Sequence, residues 1–120
     1  MPDFHKYLGE TVVGLFALIA VWGLLFVAIK RDPGRFFWWP VAAVQILLAL
    51  QIVVGVILLL TGYPLPELLH MGYGVFAALA LVYAHLEARN KPDRPWAPFA
   101  WVALVAFGLT LRALTTGLAA

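Results

Sequence analysis

Two histidines carry the strongest chemical signal in the chain. Each stands four residues before a glycine, as His5-Lys6-Tyr7-Leu8-Gly9 near the start and His70-Met71-Gly72-Tyr73-Gly74 in the second half. Neutral imidazole is a ligand for iron and other transition metals through one ring nitrogen. A glycine one helical turn along removes the side chain that would lie across the face of a flat ligand. Two such imidazoles on opposite sides of a planar iron cofactor would hold it between them. The expectation is one haem b per chain, with His5 and His70 as metal ligands and Gly9 and Gly74 beside the ring. The competing expectation is two histidines near helix ends where water reaches them, although an ionisable residue inside a membrane span points to function by default.

Other polar residues fall into place around that pair. Lys6 and Arg112 are the cations on the same side, and haem propionates need such partners; Arg112 could instead snorkel to the headgroups. Gln51 lies near the middle of an apolar run, where its amide needs a partner, either another helix or the cofactor. Glu67 precedes His70 by three residues and is either an acid at a helix start or a catalytic group. Glu10 is placed to pair with Lys6 four residues away or with Arg112. His85 stands 15 residues beyond His70, roughly 22 Å along a helix, too far to share one metal; its expected role is interfacial or structural. No phosphate-binding loop, nucleophile elbow, His-Glu-x-x-His motif or cysteine cluster occurs.

The elements that must position these residues follow from composition. Of 120 residues, 64% are hydrophobic and 12% charged, and the mean hydropathy is +0.95. A soluble fold of this size exposes too much surface to hide so much apolar area. A spanning helix takes ~20 apolar residues. The expected fold is therefore all-α: a four-transmembrane-helix bundle, one membrane domain over 1–120, with helices at about 3–29, 40–60, 66–88 and 97–118. Pro33-Gly34 and Pro95 break the chain at turns, and Phe36-Phe37-Trp38-Trp39 reads as an interfacial aromatic belt. The first segment is expected to remain as a helix, because its basic residues follow the apolar run and do not precede it as in a cleaved signal. Gly9, Gly14, Ala17 and Ala20 permit close approach. Trp22 is expected to pack or to face lipid. With no cysteine, disulfides and thiolate chemistry are excluded.

Lys30, Arg31 and Arg35 fill the first turn, and Arg89, Lys91 and Arg94 the third. The net charge of +2 is thus a topology signal and not one for nucleic acid. The positive-inside rule puts both basic turns in the cytoplasm and both termini outside, with His5 and His70 toward the outer face of the cytoplasmic (inner) membrane. A weak repeat runs through the chain: His-x-x-x-Gly, a span, a basic turn with Pro, aromatics with Pro, a second span, then Thr61-Gly62 in one half and Thr116-Gly117 in the other. Two helical hairpins in the same orientation imply a pseudo-twofold axis along the membrane normal, which brings His5 and His70 to equivalent positions.

Gln51-x-x-x-Gly55, then Thr61-Gly62, a short Pro-containing loop and a histidine opening the next helix resemble the repeated unit of the haem A synthase family. That family looks like two fused four-helix halves, each holding haem through histidines at the outer ends of two helices. The resemblance runs from about Asp3 to Ala88 and covers one such half. It implies haem ligation by His5 and His70. Glu67-Leu68-Leu69-His70 resembles the family's Glu-x-x-His, in which the glutamate is implicated in oxidising a haem methyl group. The chain is half the family's length and lacks the cysteine pair of many members. One half holds one such haem, so that chemistry would call for a homodimer.

The leading expectation is a haem protein of the lipid bilayer, for electron transfer or for haem A synthase-like oxidation as a homodimer. Two alternatives stand beside it. One is a small proton-coupled multidrug-type transporter, which would need a carboxylate deep in the membrane, whereas Glu10 is near one end. The other is a cofactor-free accessory or assembly subunit of a respiratory complex.

Overall fold

The computed structural model describes the backbone at 3–62 and 68–119 and the side chains of 5–62 and 71–115. Among the described residues it is helical, with α1 at Asp3–Ala28, α2 at Trp38–Leu60, α3 at Leu68–Asn90 and α4 at Trp96–Ala119, and a short 3-10 turn at Arg35–Phe37 before α2. Each of the four helices is long and apolar enough to cross a membrane. Large apolar side chains such as Val21, Ile46 and Leu60 stay exposed on the outside of the bundle, which suits a hydrocarbon solvent.

The helix limits have local causes. The α1–α2 turn uses left-handed backbone at Lys30 (φ 56°) and Gly34 (φ 88°), and the Gly34 N–H donates to Asp32 Oδ1 at 2.7 Å. Gly62 takes φ 92° just beyond α2, a conformation glycine adopts without steric cost. α2 begins at Trp38, two residues ahead of the expected start at Pro40. A proline is tolerated in the first turn of a helix, where its missing N–H has no partner to lose, so the boundary falls before it.

Helix α4 is the centre of the bundle, packed against α1 on one flank and α3 on the other, while α2 lies on α1. The contact faces follow helical spacing. On α1 the buried stripe is Val12, Phe16 and Ile19; on α2 it is Val41, Val44 and Leu48; on α4 Phe99, Ala103 and Ala106 are buried. The alanines let α4 come close to its neighbours. The tightest approach is at Gly23, where a Cβ would stand 2.6 Å from Ala100 Cβ and 3.2 Å from Ala100 Cα. Of the small residues expected to allow close approach, Ala20 is buried and Gly9 is crowded, but a Cβ at Gly14 would meet nothing within 4 Å.

The aromatic quartet is divided. Phe36 (63% exposed) and Trp39 (72%) face outward, whereas Phe37 is fully buried and Trp38 packs against the core. Successive residues of a 3-10 turn and helix point about 100–120° apart, so four in a row cannot form one belt. Phe37 meets Trp22 edge-on at 5.7 Å and Trp38 at 5.4 Å; Trp38 meets Phe99 at 5.4 Å, and Phe99 meets His85 at 4.9 Å. This chain of rings ties all four helices together at the end that carries the basic turns. Trp22 therefore packs inward.

Candidate functional site

Gly9 and His5 continue the buried stripe of α1 one and two turns beyond Val12 toward the N-terminus, and Gln51 and Gly55 continue that of α2 beyond Leu48. Hydrophobic helix packing thus carries both pairs into the α1–α2 seam. His5 is 6% exposed. Gln51 Nε2 donates to the His5 carbonyl oxygen at 2.8 Å. A Cβ at Gly9 would stand 3.2 Å from Gln51 Nε2, and a Cβ at Gly55 would stand 3.7 Å from His5 Cε1. The two x-x-x-Gly pairs interlock: each glycine makes room for the polar side chain of the other helix.

The other helices are level with this seam. Leu114 of α4 comes within 3.4 Å of the Gly9 Cβ position, and the Arg112 guanidinium lies 6.0 Å from the centre of the Tyr73 ring of α3. One end of the bundle, opposite the basic turns, therefore gathers His5, Gly9, Gln51 and Gly55 with Tyr73 and Arg112. Lys6 is half-buried, Arg112 exposed, and Glu10 exposed about two turns inside α1.

The backbone of His70 belongs to the first turn of α3, one turn before Gly74; its side chain lies outside the described residues, as does Glu67. Among the described residues, a Cβ at Gly74 would meet nothing within 4 Å, so none of them requires a glycine there. His85 serves the opposite end: its Nε2 hydrogen-bonds Gln45 Oε1 at 2.5 Å, and Gln45 Nε2 donates to the Val41 carbonyl at 3.0 Å. His85 is a structural link between α3 and α2.

Gln51 Oε1 is buried and receives no hydrogen bond, at a depth where an unmet polar atom is costly. The same amide is tied through its nitrogen to the His5 backbone. A metal-ligating histidine donates from its other ring nitrogen to an acceptor that fixes the ring's orientation, and Gln51 Oε1 is an acceptor of that kind. Among the described residues no three His, Asp or Glu side chains converge; axial haem ligation takes one or two side chains and needs no such trio. Gly55 and Tyr73 were not singled out as site residues by their types. Gly55 could have been, since Gln51-x-x-x-Gly55 repeats the spacing of His5-x-x-x-Gly9.

No protein-family model, no curated protein and no solved structure matches the chain.

Proposed function

We propose that this protein is an integral, multi-pass protein of the cytoplasmic membrane that binds one b-type haem through His5 and His70, toward the outer face. The observation that carries the reading is the buried His5 imidazole, seated against Gly55 of α2, with a buried and unmet Gln51 carbonyl oxygen one turn earlier on the same helix. These residues fit a haem ligand: the side chain is held away from water, Gly55 leaves room beside the ring, and Gln51 carries an unused acceptor that could serve the second ring nitrogen. The second ligand, His70, rests on the sequence spacing and on the place of its backbone at the start of α3.

Bound haem supplies a one-electron couple. The chain's own residues would set its properties. His5 and His70 would hold the iron, and Gln51 would orient the His5 ring. Lys6 and Arg112 would offer charge to the propionates, with Arg112 placed by Tyr73. Burial in an apolar bundle would tune the potential. The role is electron transfer, or haem A synthase-like oxidation in a homodimer with Glu67 taking part. Both termini would be outside; the central place of α4, against both α1 and α3, does not follow the pseudo-twofold axis expected from the repeat.

The test of ligation is the low-temperature EPR spectrum of oxidised protein purified in detergent from haem-replete cells. Two imidazoles give a low-spin, six-coordinate signal. A high-spin, five-coordinate signal would remove one histidine from the site, and a preparation that takes up no haem on titration would remove the site altogether.

A further inference from the structure

At the end of the bundle opposite His5, a groove of about 330 Å³ opens between α3 and α4, with Val27 of α1 also in its lining. Its walls change character along the membrane normal. The part within the spans is lined by Tyr83 and Trp101, which are 57% and 56% exposed. The rim is lined by Glu87, Lys91 and Arg94, at the level where the span of α3 ends at Asn90 and that of α4 begins at Trp96.

We infer that this groove binds the headgroup of an anionic phospholipid. A phospholipid has the same gradient as the groove: a negative phosphate above, glycerol and acyl chains below. Basic pockets between spanning helices at a membrane surface suit such headgroups, and aromatic rings at that depth suit the boundary between headgroup and chain. The volume is at the small end of ligand sites and takes a headgroup, leaving the acyl chains to run over Tyr83 and Trp101 into the bilayer. Lys91 Nζ is paired with Glu87 Oε2 at 3.6 Å, with the side chains 50% and 28% exposed. A pair this exposed is held weakly, so a phosphate can draw Lys91 toward itself and toward Arg94. Two cations and one carboxylate leave a single net positive charge at the rim, which matches a single phosphodiester. The inference rests on the four helices crossing a bilayer and is independent of haem.

Native mass spectrometry of the full chain in detergent, with equal amounts of phosphatidylglycerol and phosphatidylcholine, tests it. Both lipids carry the phosphate; only the first is net anionic. The expected result is retention of phosphatidylglycerol about tenfold over phosphatidylcholine, falling to parity in Lys91→Gln/Arg94→Gln. The control Lys30→Gln/Arg31→Gln, in the other basic turn, keeps the preference, and millimolar inorganic phosphate leaves the lipid bound. Parity in the unaltered protein, an equal loss in the control, or displacement by free phosphate each overturns the assignment. Arg94→Gln alone, at an exposed side chain, serves as the second variant, with a partial loss expected; circular dichroism checks that each variant is folded.

Discussion

The side chain of Gln51 and the backbone of His5, 46 residues apart in the chain, are joined by a 2.8 Å hydrogen bond across the α1–α2 seam. Hydrogen bonds between membrane helices contribute roughly 0.6 kcal/mol on average and ~1.7 at most. Gln51→Leu should therefore lower stability by about 1 kcal/mol in a mixed-micelle unfolding titration. If Gln51 also orients a ligating imidazole, the variant that retains haem will show a shifted reduction potential, because the acceptor for the second ring nitrogen is gone. An unchanged potential would confine Gln51 to a structural role.

Gly9 and Gly23 make opposite demands. At Gly9 the near atoms are the ends of two flexible side chains, Gln51 Nε2 and Leu114 Cδ1, at 3.2 and 3.4 Å. Gly9→Ala should be tolerated with small shifts. At Gly23 a Cβ would stand 2.6 Å from Ala100 Cβ with backbone close behind, so α1 and α4 must separate. Gly23→Ala should cost about 1–3 kcal/mol, in the range of overpacked cores. Thermal unfolding in detergent ranks the two; a Gly9→Ala protein less stable than Gly23→Ala would contradict the packing described.

Four long apolar helices and the two basic turns were legible in the sequence, because ~20-residue apolar runs and Pro/Gly breaks read directly. The packing faces were much less so. When a helix is apolar on every side, composition does not mark which side meets protein and which meets lipid. That is why Phe36 to Trp39 read as one belt although Phe37 is core, and why Gly14 was expected to allow close approach when Gly23 does. His5 stood out by type, and its burial follows once it is seen to continue the Val12–Phe16–Ile19 stripe. The Gln45 partner of His85 was not legible, since 40 residues separate them and neither carries a motif.

His85 and His5 should separate cleanly by mutation. His85→Ala removes the hydrogen bond to Gln45 and the edge contact with Phe99, and stability should fall by about 1–2 kcal/mol. Haem content should not change, because His85 lies at the end of the bundle opposite His5. A pyridine haemochrome assay on the folded variant checks this; loss of haem from a stable His85→Ala protein would move the site to the basic end.

The topology can be read with single cysteines, since the chain has none of its own. Arg31→Cys and Thr115→Cys lie at opposite ends of the bundle, in the first basic turn and near the end of α4. A membrane-impermeant maleimide added to intact cells should label Thr115→Cys and spare Arg31→Cys. The reverse pattern would invert the protein and place His5 on the inner side.

The central claim is tested most directly by haem per chain in the purified protein and in His5→Ala and His70→Ala. The account predicts one haem per chain in the unaltered protein, with haem lost or converted to five-coordinate binding in each variant while the helical content is kept. A unaltered-level haem content and an unchanged spectrum in both variants would contradict it.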